Sequence, residues 1–207
     1  MNGADGTMAL IQGLALGAGI CLTLGPQSLY VLRQGIRGEK ALATAAICTA
    51  ADFALIAAAA AGASALVMSF PEAMRYGVWG GALFTLAFGA LTLAAAFRPA
   101  AAVGHHLTTP RSAATALALS FLNPQVYFEM VAMVGGVSLQ FEPGDRTLFA
   151  LGVGLISPVW FFGLALGGRK LSGLFASARA QSLLDGGTGL LMLALAGFIV
   201  ASETGLI

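Results

Sequence analysis

Two carboxylic acids stand inside long apolar runs: Asp52 in "CTAADFALI" and Glu129 in "NPQVYFEM". A charged side chain at the centre of a membrane-length helix costs roughly 2.5–3.5 kcal/mol on insertion scales, and less where it faces water. No lysine or arginine lies inside those runs to neutralise either acid. Acids so placed line a cavity, exchange protons, or meet a cationic ligand. The bland alternative is a protonated acid hydrogen-bonded within a bundle.

The second kind of chemistry lies in the backbone. "LGPQSLYVL" (24–32) and "LNPQVYFEM" (122–130) both read Leu-(Gly/Asn)-Pro-Gln followed closely by an aromatic. Pro26 and Pro124 cannot donate to the carbonyls four residues back, at Leu22 and Ser120, and their rings press against them. Gly25 eases the first break, and Asn123 can hydrogen-bond the disturbed backbone at the second. A freed carbonyl accepts from an ammonium or another cation, and the amides opening the next half-helix attract a carboxylate. Gln27, Ser28 and Gln125 add polar side chains beside the breaks. Tyr127 and Tyr30 follow them, as cavity walls, as cross-helix hydrogen bonders or, for Tyr30, as an interfacial anchor near Arg33. A single proline kink would be ordinary packing in a membrane helix; two matched kinks, each bearing a glutamine, favour a site.

The elements that must hold these residues are membrane helices. The 207-residue chain is 58% hydrophobic and only 9% charged, against about 25% charged in soluble domains. A spanning helix needs about 20 apolar residues. Six segments qualify: 8–32, 41–68, 76–97, 112–139, 147–168 and 183–202. Alternating ten-residue strands, as a barrel requires, do not occur. The reading is an all-α polytopic membrane protein of six transmembrane helices. Small residues, as in "AAAAAGASAL" (57–66), allow close helix packing and permit a homo-oligomer.

Charge in the connections sets the expected orientation. Arg33, Arg37, Lys40, Arg98, Arg111, Arg169, Lys170 and Arg179 fall in the first, third and fifth connections, and only Arg75 and Arg146 on the other side. By the positive-inside rule the odd connections are cytoplasmic. The connection at 98–111 acts as a cytoplasmic linker between a first three-helix repeat, 1–97, and a second, 112–207. Halves of three helices must be inverted relative to each other, and aligning Pro26 with Pro124 puts a broken helix first in each. That is the pattern of an inverted-repeat secondary transporter.

Other features carry less. The net charge of +1 gives no footprint for nucleic acid. Cys21 and Cys48 lie in apolar runs and read as small buried hydrophobes. With no positive residue before Arg33, the first apolar segment is expected to remain in the mature protein. "GLALGGRK" (163–170) lacks the GK[ST] ending of a phosphate loop. His105-His106 has no Cys or acid beside it to complete a metal site. Ser157-Pro158 with Trp160, Phe161 and Phe162 reads as packing or lipid contact, with a gate as the lesser alternative. No cofactor or metal is implied, and an intramembrane enzyme finds no histidine or nucleotide loop to support it.

The chain resembles the lysine exporter family (the LysE/RhtB-type amino-acid exporters), arginine/lysine branch. The likeness rests on "QGLALG" (12–17), "LGPQSLYVLRQGIR" (24–37), "AADFALI" (50–56), "FLNPQVYFEM" (121–130) and "WFFGLAL" (160–166). It implies a bacterial inner-membrane carrier that exports amino acids, driven by protons or membrane potential. It implicates Gly25, Pro26, Gln27, Asp52, Asn123, Pro124 and Tyr127. The branch usually carries Asn where Ser28 stands, His at Gln125 and Asp at Glu129. The expected activity is export of basic amino acids; the alternative is a neutral amino acid or small metabolite, with the acids used only for proton coupling.

Overall fold

The computed structural model describes residues 3–22, 25–38, 40–63, 69, 71–97, 109–175 and 177–204, and among them every regular element is helical. In chain order these are α1 (Gly3–Leu22), α2 (Pro26–Ile36), α3 (Ala41–Ala58), α4 (Pro71–Ala96), α5 (Thr109–Phe121), α6 (124–138), α7 (Pro143–Leu171) and α8 (Ala178–Glu203). Prolines open α2, α4, α6 and α7, where a missing N–H costs nothing because the first turn has no acceptor for it. Asn123 caps α6 by accepting from Gln125 N, and Ser177 caps α8 by accepting from Ala180 N.

Four stretches are long and apolar enough to cross a membrane: Ala41–Gly62, Val78–Ala96, Pro143–Leu174 and Ser182–Ser202. A fifth is the pair Gly6–Leu22 and Pro26–Ile36, bent by 69° at the first break. The segment expected over 112–139 is divided at Leu122-Asn123 into α5 and α6, neither long enough alone. Residues 64–68, the end of the second expected segment, lie outside the described residues, as do 98–108 in the central connection. Large apolar side chains point outward along the long helices, among them Leu91 (67% exposed), Val159 (72%) and Leu183 (69%), and an apolar surface of this extent suits hydrocarbon. The chain is a multi-pass membrane protein.

Glycine decides which helices touch. α1 and α7 run parallel, with Gly6 at Leu148, Gly13 at Phe149 and Gly152, and Gly17 at Val153 and Ile156. Past the bend, α2 continues along the same partner, Gly35 meeting Ala165 and Gly168. The broken pair therefore tracks α7 from one end to the other, a path of about 43 Å at 1.5 Å per residue over its 29 residues. α4 and α8 run antiparallel, Gly89 against Met192 and Gly189 against Leu93. α3 packs on α7 and α5, and the end of α3 lies against α6.

Two apolar clusters result. One gathers Tyr30, Val31, Ala45, Cys48, Leu119 and Phe161 toward the end where α2 stops and α3 starts; we call this the basic face, after Arg33, Arg37 and Lys40. The other gathers Ile56, Val126, Met130, Val134, Phe149 and Val153 toward the opposite face.

Candidate functional site

The two backbone breaks face each other. At Gly25 the chain is extended (φ −78°, ψ 174°) before Pro26 starts α2, and a Cβ there would stand 3.0 Å from Gln125 Oε1 of the second break. Glycine leaves room there for the Gln125 side chain to reach across the first break. Asn123 is likewise extended (φ −86°, ψ 116°), with its side-chain oxygen 3.1 Å from Gln125 N.

Around this junction lies a cavity of about 40 Å3, lined by Gly25, Gln27, Ser28, Asp52, Asn123, Gln125 and Glu129, with Ile20, Cys21, Val126, Met130, Trp160 and Phe161. Phe161 belongs to the apolar cluster on the basic-face side, and Val126 and Met130 to the cluster on the other. Packed apolar side chains thus flank the cavity on both sides. Its volume suits about three or four waters at roughly 10–15 Å3 each, and is too small for an amino acid.

Neutral donors hold both acids. Asp52 accepts from Gln27 Nε2 at 3.3 Å through Oδ1, and from Ser157 Oγ at 2.8 Å through Oδ2. Among the described residues no lysine or arginine pairs with Asp52. Glu129 is buried and accepts from Gln125 Nε2 at 2.8 Å, one helical turn back. Each glutamine of the Pro-Gln pairs therefore binds one carboxylate. Asp52, with no ion pair among the described residues to cancel it, keeps most of its field for a ligand.

Of the residues singled out in the sequence, Gly25, Gln27, Ser28, Asp52, Asn123, Gln125 and Glu129 converge on the cavity. Pro26 is buried beneath it. Pro124 opens α6, with its side chain outside the described residues. Tyr127 does not line the cavity: its hydroxyl donates to the Phe121 carbonyl, bridging the second break from outside. Tyr30 is 3% exposed and packs edge-on to Phe88, centroids 6.0 Å apart, so it serves the core and is no interfacial anchor.

Two members were missed. Ser157 and Trp160, expected in packing or lipid contact, belong to the site: Ser157 holds Asp52, and Trp160 Nε1 donates to Ser28 Oγ at 3.0 Å. A serine just before a mid-helix proline was the available signal, since proline loosens the ladder where polar side chains gather. Pro158 sits inside α7.

The sequence that builds this site has counterparts among known proteins. The profile of the family described as "LysE type translocator" matches residues 18–203. The chain belongs to the LysE family. Its relatives include proteins named arginine exporter protein ArgO. That of Enterobacter sp. (strain 638) is 39% identical over 185 residues, covering 87% of this chain and 88% of the relative. That of Klebsiella pneumoniae subsp. pneumoniae is 37% identical over 178 residues, 84% of each chain. That of Escherichia coli (strain K12) is 38% identical over 178 residues, again 84% of each. No solved structure matches. Membership in the LysE family, on the arginine-exporter branch, makes this chain a transporter and not an enzyme.

Proposed function

We propose that the chain exports amino acids, basic ones foremost, from the bacterial cytoplasm by alternating access at the cavity between α2, α3, α6 and α7. The observation that carries this reading is the convergence of two carboxylates and two broken helices on one cavity. A basic amino acid has a cationic side chain for Asp52 or Glu129, and a zwitterionic end for the loosened backbone at 25–27 and 123–125. The relatives' names, which specify arginine, point the same way.

An inverted repeat supports alternating access. Exchanging α1 with α5, α2 with α6, α3 with α7 and α4 with α8 turns the main packing pairs into one another. The contact of α1 with α7 becomes that of α5 with α3. The pairs α3–α7 and α4–α8 map onto themselves, and α4 and α8 are both 26 residues long. On this reading α1–α2 and α5–α6 are two broken spans, making six crossings, with 1–97 and 112–207 as the repeats. The basic face is then cytoplasmic. Proton entry on Asp52 or Glu129 would release the cation outside.

The test is flux in reconstituted vesicles against a panel of amino acids, with and without a pH gradient. Arginine or lysine should be carried, faster with the gradient, and Asp52→Asn should abolish carriage. Normal flux through Asp52→Asn removes that acid from the mechanism. Competition by neutral amino acids alone would replace the basic substrate by a neutral one.

A further inference from the structure

A third buried acid lies outside the cavity. Asp185, two turns into α8, is 2% exposed and meets two arginines at once. Arg33 Nε stands 2.7 Å from its Oδ1, and Arg37 Nη2 stands 2.5 Å from its Oδ2. The first contact is an ion pair without good hydrogen-bond angles, whereas Arg37 also donates a hydrogen bond. The arginines are one turn apart at the end of α2 and are themselves largely buried. Arg33 also reaches Thr92 of α4 at 3.5 Å. This charged group ties the far end of a broken helix to both helices of the α4–α8 pair.

Its position relative to the cavity gives it meaning. Ser28 lines the cavity, Tyr30 and Val31 lie in the apolar cap, and Arg33 follows within one more turn. Cavity, apolar cap and charged tie are thus stacked along one helix of eleven residues. Withdrawing α2 from α8 would uncover the cap, and that withdrawal must separate Asp185 from both guanidinium groups.

At the corresponding positions the other half carries no charged residue. The step from Pro26 to Pro124 carries Arg33 and Arg37 onto Val131 and Gly135, and matching the starts of α4 and α8 carries Asp185 onto Val78. Those positions hold no charge from which a matching tie could be built. We propose that Arg33, Arg37 and Asp185 form an ion-pair gate that holds the basic face shut, making the two faces unequal in how they open. The proposal rests on the alternating-access reading for its purpose, but the closure itself can be measured without any substrate.

Cys21 lines the cavity and supplies the probe. In a Cys48→Ala background, the cationic reagent methanethiosulfonate ethyltrimethylammonium is added to right-side-out or inverted vesicles. Lys170→Cys, in a separate variant that also lacks Cys21, marks which preparation presents the basic face. Asp185→Asn should speed Cys21 labelling from the basic face by about tenfold or more, as expected when a minor open state gains population. Labelling from the opposite face should not rise. Arg37→Asp combined with Asp185→Arg should bring the rate back toward the starting value. Arg37→Gln, which leaves one pair intact, should give a smaller one-sided increase and serves if Asp185→Asn fails to fold.

Unchanged labelling in folded Asp185→Asn, or in Arg37→Gln where Asp185→Asn does not fold, overturns the gate. So does an equal rise from both faces with a lowered unfolding temperature, which is the mark of a structural staple. Because the readout is thiol access, failure of the substrate assignment would leave it standing.

Discussion

The cavity's acids depend on neighbours that carry no charge. Ser157 and Gln27 each donate one bond to Asp52, and a hydrogen bond to a charged group contributes about 1.5–3 kcal/mol. Removing one should misplace the carboxylate without unfolding a protein whose helices pack elsewhere. Ser157→Ala is expected to slow arginine export in vesicles by roughly tenfold, where 1.4 kcal/mol is one factor of ten, while leaving the unfolding temperature within a few degrees. A rate equal to the parent's would show that Asp52 needs no positioning from α7. Trp160→Phe, which keeps the ring but loses the bond to Ser28, should produce a smaller defect of the same kind. The acids and the glutamines beside the prolines were readable in the sequence, because polar groups within apolar runs announce themselves. Ser157 and Trp160 were not: a serine and a tryptophan are ordinary in a membrane helix. Asp185 was hidden differently, for it sits three residues into its apolar segment and looks like an interfacial charge until Arg33 and Arg37 are seen beside it.

At the scale of elements, the helix breaks follow from proline chemistry, and both fall where the sequence placed them. The pairing of helices does not follow in the same way. With 28 glycines and long alanine stretches, nearly every helix has a face smooth enough to pack closely, so spacing cannot say which glycine meets which. The structure chooses α1–α2 against α7. A Cβ at Gly35 would stand 2.6 Å from the Ala165 carbonyl oxygen, and one at Gly168 would stand 2.6 Å from that of Leu32. Backbone cannot yield as a flexible side chain can, so Gly168→Ala should destabilise the protein by about 1–3 kcal/mol. Gly163→Ala, five residues earlier on the same helix with nothing within 4 Å, should be neutral or gain up to about 1 kcal/mol of helix propensity. Thermal unfolding of the two variants in one detergent checks the contrast. Equal effects would mean that the helices do not touch where the glycines place them.

For the molecule as a whole, each half completes the other's site. Asp52 is held by Ser157 and Ser28 by Trp160, bonds that cross from the first half to the second. Gly25 admits Gln125. Neither half can build the cavity alone. Co-expressed fragments 1–104 and 105–207 should restore measurable export, whereas each by itself should give none. Export by a single fragment would contradict a shared site.

One feature of α6 bears on how such an assembly moves. From Glu129 to Gly135 the helix is wound in wide π-type turns before it tightens again at Gly136–Ser138. A turn of this kind holds one residue beyond the α-helical repeat, and such turns recur at functional sites. Passing that surplus residue along the helix exchanges one hydrogen-bond acceptor for the next and swings the side chains it passes by about 100°. Met130 and Val134, which help stop the cavity on the opposite face, lie within that stretch. A shift of the surplus residue would thus turn these side chains about the helix axis, as a thread turns, while the helix stays seated in the bundle.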